Sequence, residues 1–72
     1  EEAYDYYVKA FKISNNNYTT PKYLYKASII GSEIGYISSS IEFLNRIKSE
    51  YPDSYEAEMV DLQIGRIENI NK

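Results

Sequence analysis

Ile37-Ser38-Ser39-Ser40-Ile41-Glu42-Phe43-Leu44-Asn45-Arg46-Ile47-Lys48-Ser49-Glu50-Tyr51-Pro52-Asp53-Ser54 is the stretch that decides the fold. Small or apolar residues stand at Ile37, Ser40, Ile41, Leu44, Ile47 and Tyr51, three or four apart except for the adjacent pair Ser40 and Ile41. That spacing gathers them on one side of a helix, whereas a strand would alternate them between two faces. Pro52 removes a backbone donor and pushes Tyr51 out of helical geometry, so the helix is expected to span about Ile37 to Glu50. The same order occurs 37 residues upstream as Ala3, Tyr7 and Ala10, followed by Ile13 and the breaker run Asn15-Asn16-Asn17. A small residue, a bulky one four later and an apolar one three beyond form the buried stripe of a helix with close neighbours. Its return at a fixed period marks a helical array.

Working outward, the breaker clusters divide the chain into four helical segments. The first, roughly Glu2 to Ser14, carries Ala3, Tyr7, Ala10 and Phe11 on one face, with Tyr6 and Ile13 beside it. The second runs to about Ile34, with Thr20 expected as its N-cap and Pro21 in its first turn, where a missing N–H costs nothing. Its stripe is Leu24, Ala27, Ser28 and Gly31, three of them small, so a neighbouring helix is expected to approach closely. Gly35-Tyr36 makes a tight turn into the third segment. Asp53-Ser54 is expected to cap the fourth, which carries Ala57, Val60, Ile64 and Ile67 and frays into Asn69-Ile70-Asn71-Lys72. Connections this short make sequential helices antiparallel neighbours.

Composition narrows the possible functions. Seventy-two residues make one small domain whose core is marginal alone. Cysteine is absent, so no disulfide or thiolate zinc staples it, and the absence of histidine removes the commonest general base and metal ligand. Eight Lys and Arg against eleven Asp and Glu supply no basic stripe for a nucleic-acid backbone. Apolar runs are too short to span a membrane. Ten isoleucines and nine tyrosines favour strands by propensity, but they fall at helical intervals, and the period outweighs the propensity. The chain opens at Glu1 with neither methionine nor a signal pattern, and is expected to be part of a longer protein.

These residues resemble the tetratricopeptide repeat family. Ala3-Tyr4-Asp5-Tyr6-Tyr7-Val8-Lys9-Ala10-Phe11-Lys12-Ile13 reads as the second helix of such a repeat. Gly35-Tyr36-Ile37, then Ser40, Leu44, Ile47 and Tyr51-Pro52-Asp53-Ser54, reads as the turn, second helix and closing proline of the next. Ser28 and Gly65 hold one small-residue position 37 apart, above the usual repeat of about 34. With Ala57-Glu58 and Ile64-Gly65, this is similar to a longer-period branch common in bacterial cell-envelope and outer-membrane assembly proteins. The resemblance implies an all-α fold of about four helices, antiparallel hairpins wound into a right-handed α-α superhelix. Residues 1–14 would be the second helix of a preceding repeat, 18–53 one complete repeat and 54–72 the first helix of a following one. Three positions depart from the pattern. Asn15 stands in place of the closing proline, Gly31 in place of an aromatic, and Asp61 where its counterpart Leu24 is apolar.

No constellation for catalysis emerges, and an enzyme is not expected. Glu56 and Glu58 are read as solvated charges in a first helical turn, with Asp61 on the same helix, and Glu33 and Glu42 as solvated beside a turn. Ser38-Ser39-Ser40 has no histidine or cysteine to activate it and is read as a helix start whose third serine packs in the core. No loop has the ligand pattern of a calcium site and no glycine-rich loop cradles phosphate, so neither metal nor cofactor is expected.

The resemblance implies a binding scaffold in which the first helix of each repeat faces a concave groove. In this register Lys22, Tyr25, Ile29, Ser32 and Glu33 face it from the complete repeat, and Met59, Leu62, Arg66 and Asn69 from the half repeat. Tyr25, Ile29, Met59 and Leu62 form an apolar floor, and Lys22 and Arg66 suit a carboxylate or an acidic stretch. The alternative is that Tyr25 and Leu62 pack between helices. The fourth helix carries apolar residues on more than one side, Leu62 beside Ile64, Ile67 and Ile70. The first lacks the partner that normally precedes it. Both ends are therefore expected to pack in a longer array or on a second copy. The expected partner is a protein or peptide, the runner-up role is a structural spacer or self-association module, and compartment is left open between cytoplasm and bacterial envelope.

Overall fold

The stripe from Ile37 to Tyr51 forms a helix, and Leu44 and Ile47 on it are fully buried. In the computed structural model, which describes residues 2–14 and 16–70, the chain is all-α. Helices α1 (Glu2–Ile13), α2 (Thr19–Glu33), α3 (Ile37–Glu50) and α4 (Val60–Ile70) follow in order, with a 3-10 turn at Glu56–Met59 before α4. No strand occurs among the described residues. Expectations resting on Asn15, on the side chain of Ile70 and on Asn71 and Lys72 lie outside what is described.

Consecutive helices run antiparallel, as end-to-start contacts show. Tyr4 at the start of α1 lies against Gly31 near the end of α2, while Ser14 after α1 bonds Thr19 and Thr20 at the start of α2. Lys48 near the end of α3 reaches Asp61 at the start of α4. The odd helices are parallel to each other. Tyr4 meets Tyr36 edge-on at 5.0 Å before α3, and Phe11 meets Phe43 edge-on at 5.0 Å. The Arg46 guanidinium lies 5.6 Å from the Phe11 ring centre. The Cα framework measures 35 × 27 × 14 Å. Its thin dimension accommodates two helix layers about 9 Å apart, each Cα cylinder adding about 2.3 Å.

The core joins Phe11, Leu24, Ala27, Leu44, Ile47, Val60 and Ile67, with at least one residue from every helix. Each large aliphatic among them contributes about 1.5–3 kcal/mol by burial. Small residues bring the layers together. A Cβ placed on Gly31 would lie 2.6 Å from Ser40 Oγ and 2.9 Å from the Tyr4 ring. The third serine of the run is a core residue, fully buried, its Oγ donating to Tyr36 O at 2.8 Å.

The helix ends follow local chemistry, with two corrections. Thr20 does not cap α2. Asn16 does, its Oδ1 accepting from Tyr18 N at 2.9 Å and Thr19 N at 2.7 Å. Thr20 is instead buried and donates to Ser14 Oγ at 2.9 Å, which ties the α1–α2 connection shut. Gly35 takes φ +97° and lets Tyr36 N donate to Gly31 O at 2.7 Å, the long bond of a Schellman-type exit. Ser54 does both jobs between α3 and α4. Its Oγ donates to Tyr51 O at 2.8 Å and accepts from Ala57 N at 3.1 Å. The second correction concerns α1. Tyr6 and Ile13 are exposed, and Ala3 and Ala10 only half-buried, because among the described residues α1 has α2 and α3 on one side and no helix on the other.

Candidate partner-binding surface

The groove residues expected on α2, spaced three or four apart except for the adjacent Ser32 and Glu33, fall on the side turned from Leu24, Ala27 and Gly31. Lys22 and Glu33 are exposed, and Tyr25, Ile29 and Ser32 are half-buried. Ser32 Oγ is occupied locally, donating to Ile29 O at 2.8 Å. Tyr25 packs against the core cluster, so part of its ring serves the fold, as the core-packing alternative holds. On the last helix the stripe lies opposite Val60 and Ile67, with Met59 half-buried at the end of the 3-10 turn and Arg66 and Asn69 exposed. Leu62 is 60% exposed and does not pack between helices.

The two stripes are thus off the core on their own helices. The 3-10 turn packs on both α2 and α3, which sets the Met59 end of the second stripe near α2. Beyond it α4 leans on α3, held at the surface by Lys48 Nζ to Asp61 Oδ1 at 2.9 Å. Asp61, aligned by period with the fully buried Leu24, is a surface ion-pair residue, and Val60 beside it takes the deep position.

A cleft of about 500 Å³ opens where the start of α2 meets the α3–α4 connection. Tyr18, Tyr51 and Tyr55 line it, with Pro52, Asp53 and Glu56, and of the nine groove residues only Lys22 reaches it. Glu56 corrects the sequence reading. It is not a solvated first-turn charge but only 8% exposed. It makes no hydrogen bond or ion pair among the described residues. Since no side-chain oxygen there is both enclosed and unpaired, its carboxylate meets solvent through the cleft. Glu58, Glu33 and Glu42 are exposed as expected. A second hollow of about 360 Å³ lies at the α1–α2 connection, lined by Tyr6, Lys9, Ile13, Ser14, Thr19 and Tyr23.

The first cleft joins residues far apart in sequence, and composition alone does not reveal it. A signal existed all the same. Glu56 lies four residues before Val60, on the core-facing side of the helical pattern, so spacing was a better guide than charge. No protein-family model matches this chain, and comparisons with curated proteins and with solved structures find no match. Among the described residues, no helix is long and apolar enough to cross a membrane.

Proposed function

We propose that this chain is a non-catalytic protein-interaction module built like tetratricopeptide repeats, receiving an extended peptide or a partner helix along the outward sides of α2 and α4. Leu62 carries the reading. A leucine 60% exposed in the first turn of α4, flanked at helical spacing by Met59 and Arg66, leaves apolar area uncovered that a partner would bury. Parallel odd helices, antiparallel hairpins in two layers and the 37-residue period support the repeat reading. Gly65 adds to it. Its period counterpart Ser28 is fully buried, yet an added Cβ on Gly65 would meet nothing within 4 Å, so the small residue stands where a further helix would pack.

The test is selection of binding peptides from a displayed library, followed by Ile29→Ala, Leu62→Ser and Arg66→Glu. The reading expects each variant to stay folded by circular dichroism and to bind selected peptides more weakly. Selected peptides that bind all three variants as well as the parent would overturn it.

A structural reading has its own observation. Tyr6 is 63% and Ile13 86% exposed on the open side of α1, a second uncovered edge suited to stacking against another hairpin. In this reading the segment spaces or self-associates. Sedimentation across a concentration series separates the two roles, since Ile13→Glu abolishes concentration-dependent association in a stacking module and changes nothing in a monomeric scaffold.

A further inference from the structure

The cleft between the start of α2 and the α3–α4 connection has a chemistry of its own. Its walls are aromatic, from Tyr18, Tyr51 and Tyr55, and Tyr18 and Tyr55 stand 37 residues apart, at one register position of successive hairpins. Tyrosine ring faces carry partial negative charge and attract cations. At the wall lies Glu56, a residue 8% exposed whose carboxylate opens to the cleft and has no protein partner among the described residues. Of the other lining carboxylates, Glu50 is already held by Arg46 Nε at 3.1 Å, which leaves Asp53. Two uncompensated carboxylates therefore face one ammonium, that of Lys22 on the rim.

The helix start behind Glu56 does not turn this into an anion site. The Ala57 amide already donates to Ser54 Oγ at 3.1 Å and the Glu58 amide to Tyr55 O at 3.2 Å. The molecule also contains its own comparison. The hollow at the α1–α2 connection shares three positions with it one period earlier, where Ile13, Ser14 and Thr19 align with Glu50, Tyr51 and Glu56. The Ser14 and Thr19 hydroxyls bond each other at 2.7 Å, whereas the Glu56 carboxylate has no protein partner among the described residues and is left facing the cleft.

We infer that the Tyr18–Tyr51–Tyr55 cleft is a binding site for a cationic side chain of a partner polypeptide, a guanidinium or ammonium that stacks on the tyrosines and pairs with Glu56. Apart from Lys22 the cleft lies outside the α2 and α4 stripes, so this site stands whether or not those stripes form a groove.

The probe is N-acetyl-arginine methylamide, with the citrulline analogue as neutral isostere and the glutamate analogue as anion, titrated into the intact chain and followed by NMR. Saturable shifts are expected at Tyr18, Tyr51 and Tyr55 with the arginine probe, and none at Tyr6 and Tyr23 in the counterpart hollow. The citrulline probe should bind about tenfold more weakly, as loss of a charge-assisted contact implies. Glu56→Gln, isosteric and checked for folding by circular dichroism, should weaken the arginine probe by a similar factor. Tyr55→Ala, at a 70% exposed position, should weaken it severalfold. Lys22→Ala, which removes the opposing charge, should strengthen it. Equal binding of arginine and citrulline probes, binding of the glutamate probe, or no change in Glu56→Gln would overturn the inference.

Discussion

Gly31 and Ser40 are matched across the α2–α3 interface: a Cβ on Gly31 would stand 2.6 Å from Ser40 Oγ, closer than such atoms tolerate. The Tyr4 ring closes the other side at 2.9 Å, so three helices meet at one missing methyl group. Gly31→Ala should therefore destabilise the fold, although alanine is the better helix former. Overpacking costs about 1–3 kcal/mol against about 1 kcal/mol gained from propensity, for a net loss of about 1 kcal/mol. Urea unfolding measures it. Adding Ser40→Ala to Gly31→Ala should cost less than the sum of the two changes, because the hydroxyl that clashes is gone.

Gly35 answers a different constraint. Nothing lies within 4 Å of an added Cβ, so its need is the backbone angle φ +97° alone. Gly35→Ala should cost about 1–2 kcal/mol and Gly35→Asn clearly less, since asparagine tolerates the left-handed region. Thermal unfolding of the two variants checks the order.

Asn16 holds the entry to α2. Asn16→Ala leaves two backbone donors without their acceptor and should cost about 1 kcal/mol, within a range of about 0.5–2. Tyr18→Ala, at the 81% exposed residue next to the helix, should change stability by less than about 0.5 kcal/mol. Equal losses in the two variants, read from denaturant midpoints, would place the cap elsewhere.

Two positions on α4 should behave as opposites. Ile67 is 1% exposed, and Ile67→Ala should cost about 2–5 kcal/mol, much of what a domain this small has. Leu62→Ser should stay within about 0.5 kcal/mol of the parent, because that side chain is already in water. Parallel calorimetry of both variants tests the division of α4 into a core side and a free side.

Much of this architecture was legible in the chain, and the reasons are physical. The Ile37–Tyr51 stripe and the Leu24–Gly31 stripe hold because both of their sides are packed, which makes spacing a faithful record of burial. The Ala3–Tyr7–Ala10 copy is half-buried because α1 has neighbours on one side only. Asn16 was hidden by its neighbours: adjacent asparagines carry the same capping signal, and only geometry selects one. Glu56 was misread because carboxylates so often begin helices in water, whereas here most of the residue is buried along the wall of a cleft. Of the residues expected to line a groove, Lys22, Glu33, Leu62, Arg66 and Asn69 are exposed, whereas part of Tyr25 packs inward. The tyrosine cleft depends on segments 37 residues apart meeting in space, which no local pattern encodes.

In the proposed function the outward sides of α2 and α4 receive a polypeptide. The most direct measurement is cross-saturation NMR on the complex with a peptide selected against the intact chain. The account predicts saturation transfer to Tyr25, Ile29 and Leu62 and little to Tyr6 and Ile13 on the open side of α1. Transfer confined to Tyr6 and Ile13, or spread without regard to the two stripes, would contradict it.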